Sequence, residues 1–231
     1  MKRSQVNAIM RESDDFIRQR GFYLPPFAYW TPAHWSVKGE EAREIVENQL
    51  GWDITDFGSG RFGAVGLFLF TLRNGSLKEF LAKRGKLYCE KLMVVDVDQV
   101  TPLHFHRDKV EDIINRGGGK LVIQLYNSTA EDGLADSEVT LSLDGVKQRV
   151  KAGGELVLTP GESITLRPRL YHKFWGAQER VLVGEVSLVN DDVSDNQFYE
   201  VIGRFPFIEE DEAPLHLLTS DYPKYYKGGK R

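Results

Sequence analysis

The sequence predicts a mainly β protein, an antiparallel sandwich or barrel preceded by a helical segment. Three observations carry this. From residue 63 onward short apolar runs recur at even spacing, with no helical periodicity between them. Turn signals separate the runs, and Asp144-Gly145 sits between two alternating segments as a two-residue hairpin connection. Helical patterning is confined to about the first 50 residues.

Taken in order, Val6, Ile9, Met10, Phe16 and Ile17 recur at helical spacing, and Gly21 is placed to end that helix. The stretch "GFYLPPFAYW" (21–30) is a proline-broken aromatic loop with more rings than a linker needs, which suits a cover over the mouth of its own or a partner's barrel. Thr31 and Pro32 then offer an N-cap and a first-turn residue, and a second helix is predicted over Glu40–Gln49, closed by Gly51. Residues 1–52 thus read as a helical and aromatic appendage packed on the domain formed by 53–231 with its C-terminal extension, one structural domain overall. Strands are predicted within 63–75, 86–97, 120–127, 138–153, 155–175 and 180–190. "GSGRFG" (58–63) satisfies the glycine pattern of a dinucleotide site, but a polar stretch precedes it and a strand follows. That order is the reverse of what the fingerprint requires, so the segment reads as a loop.

Composition excludes several function classes. A net charge of -4 provides no basic field for a phosphate backbone, so a nucleic-acid partner is not expected. No apolar run approaches the roughly 20 residues of a membrane helix, and the first residues lack the apolar stretch of a secretion signal. Cys89 is the only cysteine, which fits a reducing compartment. The expectation is a cytoplasmic protein with no membrane partner.

The chemistry concentrates in "TPLHFHRDKVEDIINRGGG" (101–119). In a strand His104 and His106 share one face and Phe105 the other, and Pro102 favours a strand start over a helix. Two imidazoles on one face can share a small cation. Glu111 could add a carboxylate from the next strand if the chain turns at 107–109, with glycines 117–119 providing a further tight turn. His172, in "LYHKFW", is the natural fourth ligand. Three imidazoles and one carboxylate leave open positions on an octahedral ion, as a catalytic site needs. His34 reads as a cap contact, and His216 has no evident partner.

The spacing of His104, His106, Glu111 and Gly118 resembles the first cupin motif, and Gly154, Pro160, Pro168 and His172 resemble a degenerate second one. Asp98 stands where the first motif usually carries glycine. In order along the chain, "PPFAYWTPAHW", "LFTLRNGS", "TPLHFHRDKVEDIINRGGG", "PGESITL", "LYHKFW" and "VGEVSLVNDD" resemble the D-lyxose ketol-isomerases, from about residue 22 to about 212. That resemblance implies a cupin-type jelly-roll β-barrel and a divalent ion, usually manganese, with Co²⁺, Fe²⁺ or Zn²⁺ compatible with the same ligands. It also implies a homodimer that interconverts D-lyxose with D-xylulose and D-mannose with D-fructose. Two alternatives remain open on residues alone: a cupin dioxygenase using Fe(II), and a non-catalytic sugar-binding cupin.

Isomerisation moves a proton between C1 and C2 through an enediolate, so the site needs a Lewis acid, a cation and a proton-moving group. Lys109 lies two residues before Glu111 and is expected to bind a sugar oxygen or steady the enediolate, or to act as a base if the metal's charge depresses its pKa. Glu185 interrupts the apolar run "RVLVGEVSLV" on the face of Val181 and Val183 and is the candidate acid/base. Asp191, in a turn, Arg204 and Trp175 are candidate sugar contacts.

Overall fold

The computed structural model describes residues 1–192, 194–203 and 207–228. Its strands are β1 (Gly51–Thr55), β2 (Leu67–Arg73), β3 (Tyr88–Val95), β4 (Thr101–His106), β5 (Glu111–Asn127), β6 (Val139–Leu143), β7 (Val146–Val150), β8 (Gly154–Leu158), β9 (Ser163–Leu166), β10 (Leu170–Leu188) and β11 (Asn196–Phe198). They pair antiparallel in the order β1-β2-β3-β10-β5-β9-β6-β7, with β8 also on β5, and β4 between β10 and β11. Leu69, Met93, Ile123, Leu141, Leu158, Ile164 and Val183 share one core although their strands stand far apart in that order. The sheet therefore curls around an apolar interior, as a cupin-type fold requires, without closing into a hydrogen-bonded ring. The Asp144-Gly145 turn joins β6 to β7 with both φ angles positive (47° and 83°), the primed turn that matches strand twist.

Two strands are longer than the sequence suggests. β5 and β10 pair from Leu170↔Asn127 to Ser187↔Glu111, interrupted only by register shifts near residues 177–183. Glycines 117–119, expected to form a tight turn, lie inside β5 at these shifts. A Cβ on Gly118 would stand 2.1 Å from the Arg180 carbonyl oxygen, and one on Gly119 would stand 2.3 Å from that of Glu179. The glycines bend two paired strands together where any side chain would force them apart.

Helix α1 (Arg3–Gln19) lays Val6, Met10 and Ile17 on the outer face of β1, β2 and β3, against Trp52, Ile54, Phe70, Leu92 and Val94. The aromatic segment packs there too. Phe27 tilts against Phe70 with ring centroids 5.6 Å apart, and Trp52 Nε1 donates to the Ala28 carbonyl at 2.7 Å. It covers that outer face and lines no part of the interior, so the expected cover over its own barrel mouth is not what these residues form. Short helices α2 (Pro32–Ser36), α3 (Arg43–Glu47), α4 (Leu77–Leu81) and α5 (Tyr222–Tyr225) complete the fold, and the helix expected over Glu40–Gln49 is a 3₁₀ turn running into α3. The expected boundary at residue 52 falls inside β1. Residues 1–7 are fastened to 207–221: the buried Arg3 guanidinium donates to Asp221 and Glu210 at 2.8–2.9 Å. No helix among the described residues is long and apolar enough to cross a membrane.

Candidate active site

Strand alternation does what the sequence predicts for β4. His104 and His106 turn inward, while Phe105 faces the other way and packs on Tyr171 at 4.7 Å between centroids. His172 on β10 stands directly across from His104. Glu111 opens β5, and Glu185 on β10 stands opposite Lys91 on β3. These side chains converge on one cavity of about 40 Å³, walled on its apolar side by Leu69, Met93, Ile113, Phe174 and Phe198.

The histidines are oriented as ligands. His104 Nδ1 donates to the Pro102 carbonyl at 2.7 Å and His172 Nδ1 to the Leu170 carbonyl at 3.0 Å, the same two-residue step back in each case. Opposite a carbonyl oxygen Nδ1 must carry the proton, which leaves Nε2 as a free donor atom. The Nε2 atoms of His106 and His172 lie 3.2 and 3.3 Å from Glu111 Oε1, and one ring nitrogen from each of the three histidines falls within 4.8 Å of the others. Adjacent ligands on an ion with bonds of about 2.1 Å are roughly 3 Å apart, so the donor set fits a small divalent cation. Burial and the neighbouring imidazoles push His104 well below the usual histidine range, and burial takes His172 down to about 4. Burial alone would raise the Glu111 carboxyl, but the adjacent His106 and Lys109 outweigh it and hold Glu111 well below the carboxylate range. A neutral His104 and His172 beside an ionised Glu111 have the protonation states a metal needs.

Beside the histidines lies a buried charge network. Lys109 Nζ is 2.8 Å from Glu111 Oε2, 2.8 Å from Glu185 Oε1 and 3.0 Å from Asn190 Oδ1. Burial opposes its charge, but Glu111, Glu185 and Asp192 prevail and hold its pKa above the usual lysine range. Lys109 is thus an ammonium pinned between two carboxylates. Lys91, absent from the sequence-based candidates, is a second buried ammonium. Its Nζ donates to Asn190 Oδ1 at 2.8 Å and lies 3.4 Å from Glu185 Oε1 and 3.6 Å from Asp192 Oδ1. Its signal was parity: Lys91 shares the inward face of β3 with Met93 and Val95. Asn190 in turn exchanges hydrogen bonds with Asn74, and Asn74 with Asn48, on the rim of a separate polar depression of about 810 Å³. That depression contains no histidine and is lined by ion-paired surface groups such as Arg43 with Glu47, so it is not the chemical centre.

Two other candidates are displaced. Trp175 is an odd number of residues from His172 in one continuous strand, so it turns to the outer face, where Lys173 Nζ lies 5.5 Å from its ring. Asp191 folds back to accept from Ser194 Oγ at 2.5 Å and lines the outer depression; its neighbour Asp192 lines the cavity instead. Arg204 lies outside the described residues. His34 Nδ1 accepts from Thr31 N at 3.1 Å, a cap contact as expected, and His216 stacks on Trp52. Two residues lining this cavity carry a buried polar atom with no hydrogen-bond partner among the described residues, Thr101 Oγ1 and Asn196 Oδ1, while His106 Nδ1 has only Asp195 Oδ2 at 3.7 Å. Leaving such a group unpaired costs about 1–3 kcal/mol, so these positions mark where something else binds.

The family model described as D-lyxose isomerase matches residues 1–222. The D-lyxose/D-mannose isomerase of Serratia proteamaculans is 48% identical over 228 residues, covering 97% of this chain and 99% of that protein. The one of Escherichia coli O157:H7 is 47% identical, covering 97% and 100%. Among solved structures, the L-ribose isomerase of Cellulomonas parahominis with L-ribose superposes with a TM-score of 0.55 at 15% identity, over 86% of this chain and 92% of that one, a likeness of fold. The inward histidines, the carboxylate between them and a match along nearly the whole sequence lead to one conclusion: the chain belongs to the D-lyxose isomerase family.

Proposed function

We propose that the protein is a metal-dependent aldose–ketose isomerase that interconverts D-lyxose with D-xylulose and D-mannose with D-fructose. One observation carries the reading: the Nε2 atoms of His106 and His172 converge on Glu111 beside a buried Lys109–Glu185 pair. The names of the close relatives support the substrate class.

His104, His106, Glu111 and His172 would hold the cation. When bound, it supplies Lewis acidity towards the two sugar oxygens that exchange the carbonyl. Glu185 carries the proton between C1 and C2, and its carboxylate is presented by the Lys109 ammonium at 2.8 Å. Lys109 also provides fixed positive charge for the developing enediolate without reorganising. Phe174 and Phe198 exclude water that would otherwise exchange with the migrating proton. Manganese as the native ion, a homodimeric assembly and a cytoplasmic location belong to the same proposal. The donor set suits manganese without excluding Co²⁺, Fe²⁺ or Zn²⁺, the dimer follows from the family resemblance, and the single buried Cys89 suits a reducing compartment.

The test is anaerobic incubation of chelated and manganese-restored protein with D-lyxose, D-mannose, D-xylose and D-ribose, followed by assay for ketose. Ketose from D-lyxose and D-mannose only in the restored protein supports the proposal; none from any sugar overturns it. Glu185→Gln is expected to retain the metal and lose turnover by about 10³-fold. Full activity in that variant would remove Glu185 from its role.

A further inference from the structure

The pairing of β4 with β10 contains a bulge. His104 stands opposite His172, so strict register would place residue 102 opposite Phe174, yet the partner of Phe174 is Thr101. One extra residue is accommodated at Pro102–Leu103, where proline offers no N–H to the ladder. The consequence is a change of parity. In a regular strand Thr101 would face away from His104, with Phe105. The bulge returns it to the inward face, opposite Phe174 of the interior core.

There Thr101 is 2% exposed, lines the same cavity as the histidines and Glu185, and its hydroxyl has no partner among the described residues. Asn196 lines this cavity too. It sits on β11 opposite His106, and its Oδ1 is likewise buried and unpartnered. Beside them stand Phe174 and Phe198, which bond to nothing polar. A hydroxyl and a carboxamide oxygen, unsatisfied beside apolar rings, form a surface for one polar edge of a polyhydroxylated chain.

We propose that Thr101 and Asn196 read substrate hydroxyls beyond the reacting carbons, with the β4 bulge as the device that aims Thr101 at them. This inference rests on the isomerase reading and deepens it. Thr101 Oγ1 and Asn196 Oδ1 are specificity contacts, separate from the metal-ligating and proton-moving groups. A site built to pair a substrate hydroxyl discriminates strongly against a sugar that lacks it.

The experiment uses full-length, manganese-loaded Thr101→Val, which keeps the shape and removes the hydroxyl. It measures kcat and KM for D-lyxose and D-mannose, metal content, and Tm. Expected are a kcat/KM reduced by about tenfold to a hundredfold for the preferred sugar, unchanged metal content, and a Tm equal to or above that of the parent. Aldose analogues lacking the 3-, 4- or 5-hydroxyl complete the test. For one of them the parent should lose activity and Thr101→Val should lose no more, because the missing pair is the same. Asn196→Leu is read in the same way. If the parent isomerises aldoses but Thr101→Val matches it on every sugar, the hydroxyl pairs only with trapped water and this inference fails alone. A lowered Tm with unchanged kcat/KM would likewise overturn it, assigning Thr101 to the fold. If the parent isomerises nothing, the isomerase reading itself has failed.

Discussion

The two faces of β3 and its neighbours are built on opposite principles. Outward, Phe70, Leu92, Val94 and Leu182 meet Val6, Met10 and Ile17 of α1 in an apolar layer. Inward, one residue away on the same strand, Lys91 precedes Met93, and on β10 Glu185 follows Val183. The outer face stabilises the protein by removing apolar surface from water. The inner face buries two ammonium groups and several carboxylates, whose desolvation is repaid only because each meets a partner. The charged groups thus form one patch of an otherwise apolar interior, a single strand's thickness from the purely apolar outer layer.

The largest expected effect comes from unbalancing the inner face. Lys109→Met leaves Glu111 and Glu185 without the ammonium between them, and removing one partner of a buried pair destabilises by about 3–5 kcal/mol. Calorimetry should show a substantial fall in Tm together with near-complete loss of turnover. A variant that keeps both would break the contrast between the faces. A smaller effect, of a different kind, is expected outside. Ile17→Ala opens a cavity under α1 and should cost about 3 kcal/mol, while kcat/KM at 25 °C stays within about twofold. A drop in kcat/KM at full folding would mean that the outer layer positions the site.

The smallest effect tests a contact remote from both faces. Arg3 holds the Glu210 carboxyl below its ordinary value of 4.5. A depressed carboxylate contributes fully above its unfolded pKa, and that contribution is lost as pH falls from there through the folded one. Because Glu210 is 40% exposed, the amount is a few tenths of a kcal/mol. Glu210→Gln should therefore lower Tm slightly at pH 7 and not at pH 3, and an equal drop at both would sink the assignment.

Residues whose role follows from alternation were readable, and residues whose role follows from its interruption were not. His104 and His106 were legible because a two-residue period fixes their face, and Glu111 because a turn at 107–109 brings the next strand back beside them. Lys91 obeys the same rule, but beside Glu90 in "YCEKLM" it resembles an exposed charge pair, and only its step to Met93 and Val95 gives it away. Thr101 was hidden because a bulge reverses the parity that would have been applied to it. Trp175 misled through proximity: sitting three residues from His172 in a strand is a reason to face the other way. The bend at 117–119 was read as a turn because glycine permits both, and what selects the bend is the length of β10, a partner too distant in sequence for local patterns to reveal. Asp98, in place of the usual motif glycine, adopts φ = 59°, so the backbone demand persists though the residue differs.

The fastening of residues 1–7 to 207–221 has a consequence for the order in which the molecule comes apart. The Arg3–Asp221 contacts close a loop of 218 residues, so they are gained late in folding, after local pairing has made closure less costly. What assembles last is the first to release. On gentle heating α1 should lift as a unit, its amides exchanging with solvent while those of β5 and β10 remain protected. The exposed sheet face, carrying Phe70 and Leu92, would then be wet and adhesive while the interior was still whole. Heat damage to this protein would accordingly begin as clumping of molecules whose inner face is still in place.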